Sequence, residues 1–327
     1  MMNPKVSILI PVYNVSKFIE KCAISVFEQT FDNLEFVFVN DCTLDDSIEK
    51  LHKVIEQYPK KKEQIKIITH HENKGLSSTR NTLIANATGE YVFFVDSDDY
   101  IEKNTIELLV NQAIVENSDI VLCNIFREWK RGKTINNITY NPNPKEYLKM
   151  LLAGNSPAYT CAKLMRRSLF NDIHFPDNLR FLEDFCTITR VVYAAKKITK
   201  VEETFYHYIQ YNTSALSKKW DEEKWNEIVR AFDTILLFLK SKDDSALFLN
   251  SMEILKLRIR ITYPSHFSKK MYETIADYLK TERNDLLKMS INEKNLLYLF
   301  DNKYYTLFTL YSSCFDFLHN TKKKIMG

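Results

Sequence analysis

The chain has 327 residues, 45% of them hydrophobic and 27% charged, an ordinary globular composition with material for one large or two smaller cores. Its 45 basic and 42 acidic residues leave a net charge of +3, too balanced for a protein that holds nucleic acid by neutralising phosphates. Six scattered cysteines form neither a zinc pattern nor a secreted disulfide framework, and no run reaches the roughly 20 apolar residues that span a bilayer.

Met1 to Lys5 lead straight into an apolar strand without the pattern of a signal peptide, so the expected location is the cytoplasm, free or on a membrane surface. Residues 5–13 predict a buried strand whose regular pairing ends at Pro11. Ser16 is placed to cap an amphipathic helix carrying Phe18, Ile19, Cys22, Ile24, Val26 and Phe27. Leu34 to Val39 form a second strand ending in Asn40-Asp41, and Thr43 or Asp45 can start the next helix. A third strand at Ile65 to Thr69 turns at Asn73-Lys74-Gly75 into a helix from about Leu76 to Ala87, with Gly89 as its stop.

Next comes the stretch with the strongest chemistry. The run Tyr91-Val92-Phe93-Phe94-Val95 stops at Asp96, Asp98 and Asp99, as a buried parallel strand would deliver acids to the carboxyl edge of a sheet, where open α/β sheets hold ligands. Asp96 and Asp98 can converge on one hard cation; equally, they can cap a helix running from Ile101 to Val115. With a further strand over Asp119 to Ile125, the alternation predicts an α/β fold with a doubly wound, mainly parallel sheet.

Beyond residue 125 the pattern changes to a polar, turn-rich stretch, a short helix over Lys145 to Leu152, a helix opening at Phe181-Leu182-Glu183-Asp184, and an aromatic strand over Thr204 to Tyr211. From Trp220 helical periodicity dominates. The organisation read from this is a catalytic part over 1–218, split into halves at 125/126, and a helical part over 219–327.

Three earlier strand ends should lie beside Asp96. Pro11 and Tyr13 offer backbone groups and a ring for a flat base, Asp41 can accept the imide N–H of a uracil, and Lys74, Arg80 and Asn81 can reach a nucleoside or its phosphates. Each has a plain structural alternative: a strand-end aromatic, a turn residue, a solvated helix face.

Taken together, Pro11-Val12-Tyr13-Asn14, Val39-Asn40-Asp41, Asn73-Lys74-Gly75 with Arg80-Asn81, and Asp96-Ser97-Asp98-Asp99 resemble, in order and spacing, the family-two inverting glycosyltransferases. Asn40, Cys42 and Thr79 depart from the usual Asp, Gly and Ala, and Cys42 makes its turn less permissive. The resemblance implies a nucleotide-diphosphate-sugar fold of the A type with the Asp-x-Asp motif and Mn²⁺ or Mg²⁺: Asp41 on the base, Asp96 on the ribose, Asp98 on the metal. It also places Glu183-Asp184 where such enzymes carry the catalytic base, with Asp184 favoured and Glu183 positioning it or binding acceptor; alternatively both are first-turn acids on a helix dipole.

Lys163 can meet phosphate or acceptor, and His207 can join the metal, though such a histidine is more often packed and hydrogen-bonded. A helix over Tyr304 to Leu318 before Lys322-Lys323-Lys324 can rest on an anionic membrane or simply pack. The expected partners are a nucleotide-diphosphate sugar, most simply of uridine, and a glycan or lipid-linked oligosaccharide acceptor, with no nucleic acid. The competing functions are a phosphatase using Asp96 and Asp98 and a non-catalytic sugar-nucleotide-binding subunit. A dinucleotide oxidoreductase is disfavoured, because no Gly-x-Gly-x-x-Gly occurs.

Overall fold

The computed structural model describes residues 4–212 and 222–262. The expected helix over residues 304–318, and residues 213–218, lie outside these. The chain divides into two compact units, one drawn from Met1–Tyr147 and Pro157–Lys218, the other from Leu148–Ser156 and Lys219–Gly327. The sequence reading ran its catalytic part unbroken to residue 218; residues 148–156 instead group with the second unit.

The first unit is built on β1 (Val6–Val12), α1 (Ile19–Phe27), β2 (Leu34–Asn40), α2 (Ser47–Gln57), β3 (Ile65–Thr69), α3 (Leu76–Asn86) and β4 (Tyr91–Phe94). There follow β5 (Tyr100–Ile101), α4 (Thr105–Glu116), β6 (Ile120–Glu128), β7 (Lys133–Asn136), α5 (Pro144–Leu152), β8 (Lys163–Arg166), α6 (Glu183–Ala194) and β9 (Ile198–Ile209). Among the described residues nine strands make one sheet in the order β3-β2-β1-β4-β8-β6-β9-β5, with β7 paired to β6. The four strands β3, β2, β1 and β4 are parallel. Antiparallel β8 then joins β4 to β6, and β6 runs parallel to β9. This is the α/β sheet the alternation predicts.

Every residue of β1 is buried, because the strand sits between β2 and β4 and helices cover both sheet faces. The helix α1 buries Ile19, Cys22, Ala23, Val26 and Phe27, the i, i+3, i+4, i+7, i+8 stripe of a helix with one inward face. Pro11 stays in register with Val39, and pairing continues to Val12 and Asn40, one residue further than expected. The ladder to β4 has already ended at Leu9 and Phe94, so the ring sits where β1 is no longer bonded on that side.

Two helix starts differ from expectation. Ser16 does not cap α1, which begins at Ile19; its N–H donates to Asp45 Oδ2 at 2.9 Å and ties the loop after β1 to the loop after β2. Residues Tyr100–Ile101 do not open a helix but pair with His207 and Tyr206 of β9, which delays α4 to Thr105. Gly89 lies beyond the stop of α3 and has another purpose: a Cβ there would come within 2.7 Å of the Ser7 backbone nitrogen.

In the second unit, besides Leu148–Leu152 of α5, the described helices are α7 (Glu222–Lys240) and α8 (Ala246–Thr262). The inward stripe of α7 is Trp225, Ile228, Ala231, Phe232, Ile235 and Leu239, in keeping with the predicted periodicity. Among the described residues no helix is long and apolar enough to cross a membrane.

Candidate active site

The carboxyl ends of β1, β2 and β4 are neighbours in the sheet, so their loops converge. At the end of β1, Pro11 is buried and Tyr13 is 41% exposed, so its ring is available to a planar ligand. Lys74 is exposed on the loop after β3.

Asp41 has a different setting from the one expected. Its carboxylate is buried, accepts the Lys74 N–H at Oδ1 (2.8 Å) and the Gly75 N–H at Oδ2 (2.9 Å), and meets His70 Nδ1 at 2.7 Å. Asp41 therefore holds the loop between β3 and α3, with capacity left for a further donor only at Oδ2. His70, which sequence reasoning passed over, is fixed in turn by Thr82 Oγ1 at 3.0 Å. Gly75 has φ 84°, the left-handed region that allows its N–H to reach Asp41. Cys42 takes φ 57° without a glycine's freedom, so the departure noted in the sequence carries backbone strain.

The acidic turn after β4 is clamped rather than splayed. Asp99 is fully buried; its Oδ2 accepts the Tyr206 hydroxyl and its Oδ1 the Ile209 N–H, both at 2.8 Å. The same hydroxyl accepts the Asp96 N–H at 3.1 Å, so Tyr206 pins both ends of the turn to β9. Burial, with the nearby charges of Asp98 and Asp96, pushes the Asp99 carboxyl well up. Asp98 accepts Asn212 Nδ2 at 2.8 Å and lines a cavity of about 620 Å³ together with Lys17, Lys21, Tyr100, Lys130 and Tyr211.

Arg80 departs most from expectation. Only 2% exposed, it makes no open surface for a nucleoside. Its guanidinium instead joins three carboxylates: Nη1 donates to Glu183 Oε1 (2.8 Å) and Asp184 Oδ1 (2.5 Å), and Nη2 to Asp96 Oδ1 (3.2 Å). Asn81 is likewise structural, exchanging hydrogen bonds with the Phe175 backbone in both directions at 2.8 Å. Burial raises Asp96 to about 6, Arg80 opposing and Asp184 and Asp98 reinforcing it. Glu183 rises to about 7, from burial first and the Asp184 charge second, against the pull of Arg80.

Asp184 has a second anchor. The Thr160 N–H donates to Oδ2 at 3.1 Å and the Thr160 hydroxyl to Oδ1 at 2.5 Å. With a side chain 26% exposed against 10% for Glu183, Asp184 is the more accessible of the pair. Both sit in the first turn of α6, entered through Leu182 at φ 65°, and the Thr160 loop passes through Ala162 at φ 57°. Among the described residues, three of the five non-glycine positive-φ positions thus lie within two residues of Asp41, Thr160 or Glu183, where strain is held in place by the surrounding bonds.

Two other residues named from the sequence lie elsewhere. Lys163 is buried and donates to the Tyr159 carbonyl at 2.6 Å, so it positions that loop; burial lowers its pKa. His207 is packed between the rings of Tyr100 (4.0 Å) and Phe126 (4.7 Å), with its nitrogens at Glu102 (2.8 Å) and Glu128 (3.2 Å). Neither nitrogen is left for a metal.

Asp96 and Asp98 offer oxygen alone, the donor set of a hard divalent cation. Among the described residues no group of three or more His, Cys, Asp or Glu converges as a closed metal cage. A hard divalent cation held by these two carboxylates would need its other oxygens from outside them, such as phosphate or water.

The family model described as "Glycosyl transferase family 2" matches residues 7–174. Over 252 residues the chain is 33% identical to the "Putative glycosyltransferase EpsH" of Bacillus subtilis (strain 168), covering 74% of this chain and 71% of that protein. Over 211 residues it is 30% identical to "Poly(ribitol-phosphate) beta-N-acetylglucosaminyltransferase TarS" of Staphylococcus aureus (strain Mu50), covering 62% of this chain and 35% of that protein. The crystal structure of S. aureus TarS 1–349 in complex with UDP-GlcNAc matches with a TM-score of 0.74 at 21% identity, over 95% of this chain and 91% of that one.

Proposed function

The chain belongs to glycosyltransferase family 2, and from that premise we propose that it transfers a sugar, with inversion, from a uridine-diphosphate donor to a hydroxyl of a glycan in surface-polysaccharide or lipid-linked oligosaccharide synthesis. The observation that carries this reading is Arg80. One guanidinium holds Asp96, at the turn where the donor would sit, and Asp184, a partly exposed carboxylate that the Thr160 N–H and hydroxyl also hold. A base poised opposite an acidic donor turn is what a single displacement requires. The fold shared with the TarS complex with UDP-GlcNAc supports the same reading.

In the step itself the acceptor oxygen forms a bond to the anomeric carbon as the bond from that carbon to the phosphate oxygen breaks. The acceptor proton passes to Asp184 and the electron pair leaves with the nucleotide diphosphate. Tyr13 presents its ring to the base, while Asp41 orders Lys74 and Gly75 at the same edge. Asp96 and Asp98 would hold Mg²⁺ or Mn²⁺, which when bound supplies positive charge against the developing diphosphate. Glu183, raised towards neutrality, spares Asp184 a second full negative charge beside it.

A non-catalytic subunit on this fold would have no use for an accessible, doubly anchored Asp184. The phosphatase reading needs Asp96 as a free nucleophile, whereas here Asp96 is bridged to Arg80. The test is titration calorimetry with UDP, with and without Mg²⁺ or Mn²⁺, on wild type and Asp98→Ala. Metal-dependent binding in wild type that weakens at least about tenfold in the variant is the expected result. No UDP binding in either condition would overturn the donor assignment.

A further inference from the structure

The sheet face above Thr160 carries groups that nothing so far uses. Arg127 of β6 is in register with Tyr208 of β9. Its Nη2 donates to the Tyr159 hydroxyl at 3.2 Å, and the rings of Tyr159 and Tyr208 lie 5.9 Å apart. All three residues are half-buried.

Among the described residues no carboxylate compensates the charge on Arg127, and its Nε is buried without an acceptor. Arg80 by contrast has three carboxylates, and Arg166 has Glu90 and Asp119. A partly desolvated guanidinium lacking a counter-charge is unfavourable in the free protein and well suited to an anionic group, which it can grip with two parallel N–H bonds.

This group is joined to the proposed base through the backbone. Tyr159 is bonded to Thr160, which holds both Asp184 oxygens, and the Tyr159 carbonyl is itself fixed by Lys163. Arg127 is not among the residues that line the cavity at Asp98, where the cations are Lys17, Lys21 and Lys130.

We propose that Arg127, Tyr159 and Tyr208 form an acceptor subsite beside Asp184, which takes a glycan whose ring stacks on the tyrosines and whose anionic substituent, a phosphodiester or a carboxylate, pairs with Arg127. Tyrosine suits this, with an apolar face for the ring and a hydroxyl for its edge. The assignment rests on the glycosyltransferase reading of the site.

The experiment is saturation-transfer NMR with the full chain, UDP and Mg²⁺ present, using three probes: a glycerol phosphate oligomer, a glucuronate-containing disaccharide and neutral cellobiose. At least one anionic probe should bind wild type about tenfold tighter than cellobiose. Arg127→Gln should erase that preference. Tyr159→Phe, which keeps the ring but removes the hydroxyl that orients Arg127, should reduce it about threefold. UDP affinity, measured by calorimetry, should stay within about twofold in both variants, which also verifies that they fold. Whichever anionic probe binds identifies phosphodiester or carboxylate as the source. Equal binding of all three probes to wild type, or none, overturns the subsite. A parallel fall in UDP affinity in Arg127→Gln also overturns it, by moving Arg127 to the donor. Failure of wild type to bind UDP, a separate readout, sinks the glycosyltransferase reading itself.

Discussion

Asp184 and Arg80 divide the work of the site between a group that would take a proton and a group that holds it in place. If Asp184 is the base, Asp184→Asn keeps the shape and the hydrogen bond from Arg80 but cannot accept a proton. Sugar transfer should fall by roughly two to four orders of magnitude while UDP affinity stays within about twofold. Loss of UDP binding in parallel would instead mark Asp184 as part of the donor site. Arg80→Ala should act on the fold as well, because it leaves Asp96, Glu183 and Asp184 facing one another without their shared cation. Removing one partner of a buried charge network costs about 3–5 kcal/mol, so a large drop in melting temperature should accompany the loss of activity. At Cys42 the opposite sign is expected. Glycine adopts φ 57° freely, and Cys42→Gly should stabilise the protein by about 1 kcal/mol, measured by urea unfolding.

At the scale of elements, β9 does more than the sequence reading assigned to it. Its Tyr206 hydroxyl bonds to both ends of the acidic turn, and its last residue, Ile209, donates to Asp99. Tyr206→Phe removes one hydroxyl and strands a buried carboxyl, which should cost about 1–3 kcal/mol and loosen metal-dependent UDP binding. Stability lost with UDP affinity untouched would show that Asp99 alone keeps the turn. The elements themselves were largely legible: apolar runs ending in Asp41 and Asp96 marked β2 and β4, and of the stripe expected for α1, Ile19, Cys22, Val26 and Phe27 are buried, whereas Phe18 precedes the helix and Ile24 is half-buried. What could not be read was long-range. Thr160 meets Asp184 across 24 residues and Tyr206 meets Asp99 across 107, and nothing local in Thr160 or Tyr206 announces a partner. Arg80, expected to reach a nucleoside or its phosphates, is a buried bridge for the same reason: its partners Glu183 and Asp184 lie 103 and 104 residues away in the chain.

For the whole molecule, the cluster of Asp96, Glu183 and Asp184 around one arginine makes stability depend on pH in a defined direction. Glu183 titrates near 7 in the folded chain against an ordinary 4.5, and Asp96 near 6 against 3.8. Because both folded values are raised, the native state binds more protons than the unfolded chain between the two values of each group. The contribution of these two groups is therefore fullest below about 4 and is lost as pH climbs through 6 and 7. Glu183→Gln, which mimics the protonated acid and still offers an oxygen to Arg80, removes the Glu183 share and leaves that of Asp96. The unfolding free energy of the variant minus that of wild type should grow between about pH 4.5 and 7, reaching on the order of 1–3 kcal/mol, and stay level above that. A difference that is flat across this range would show that Glu183 is ionised throughout, held charged by Arg80.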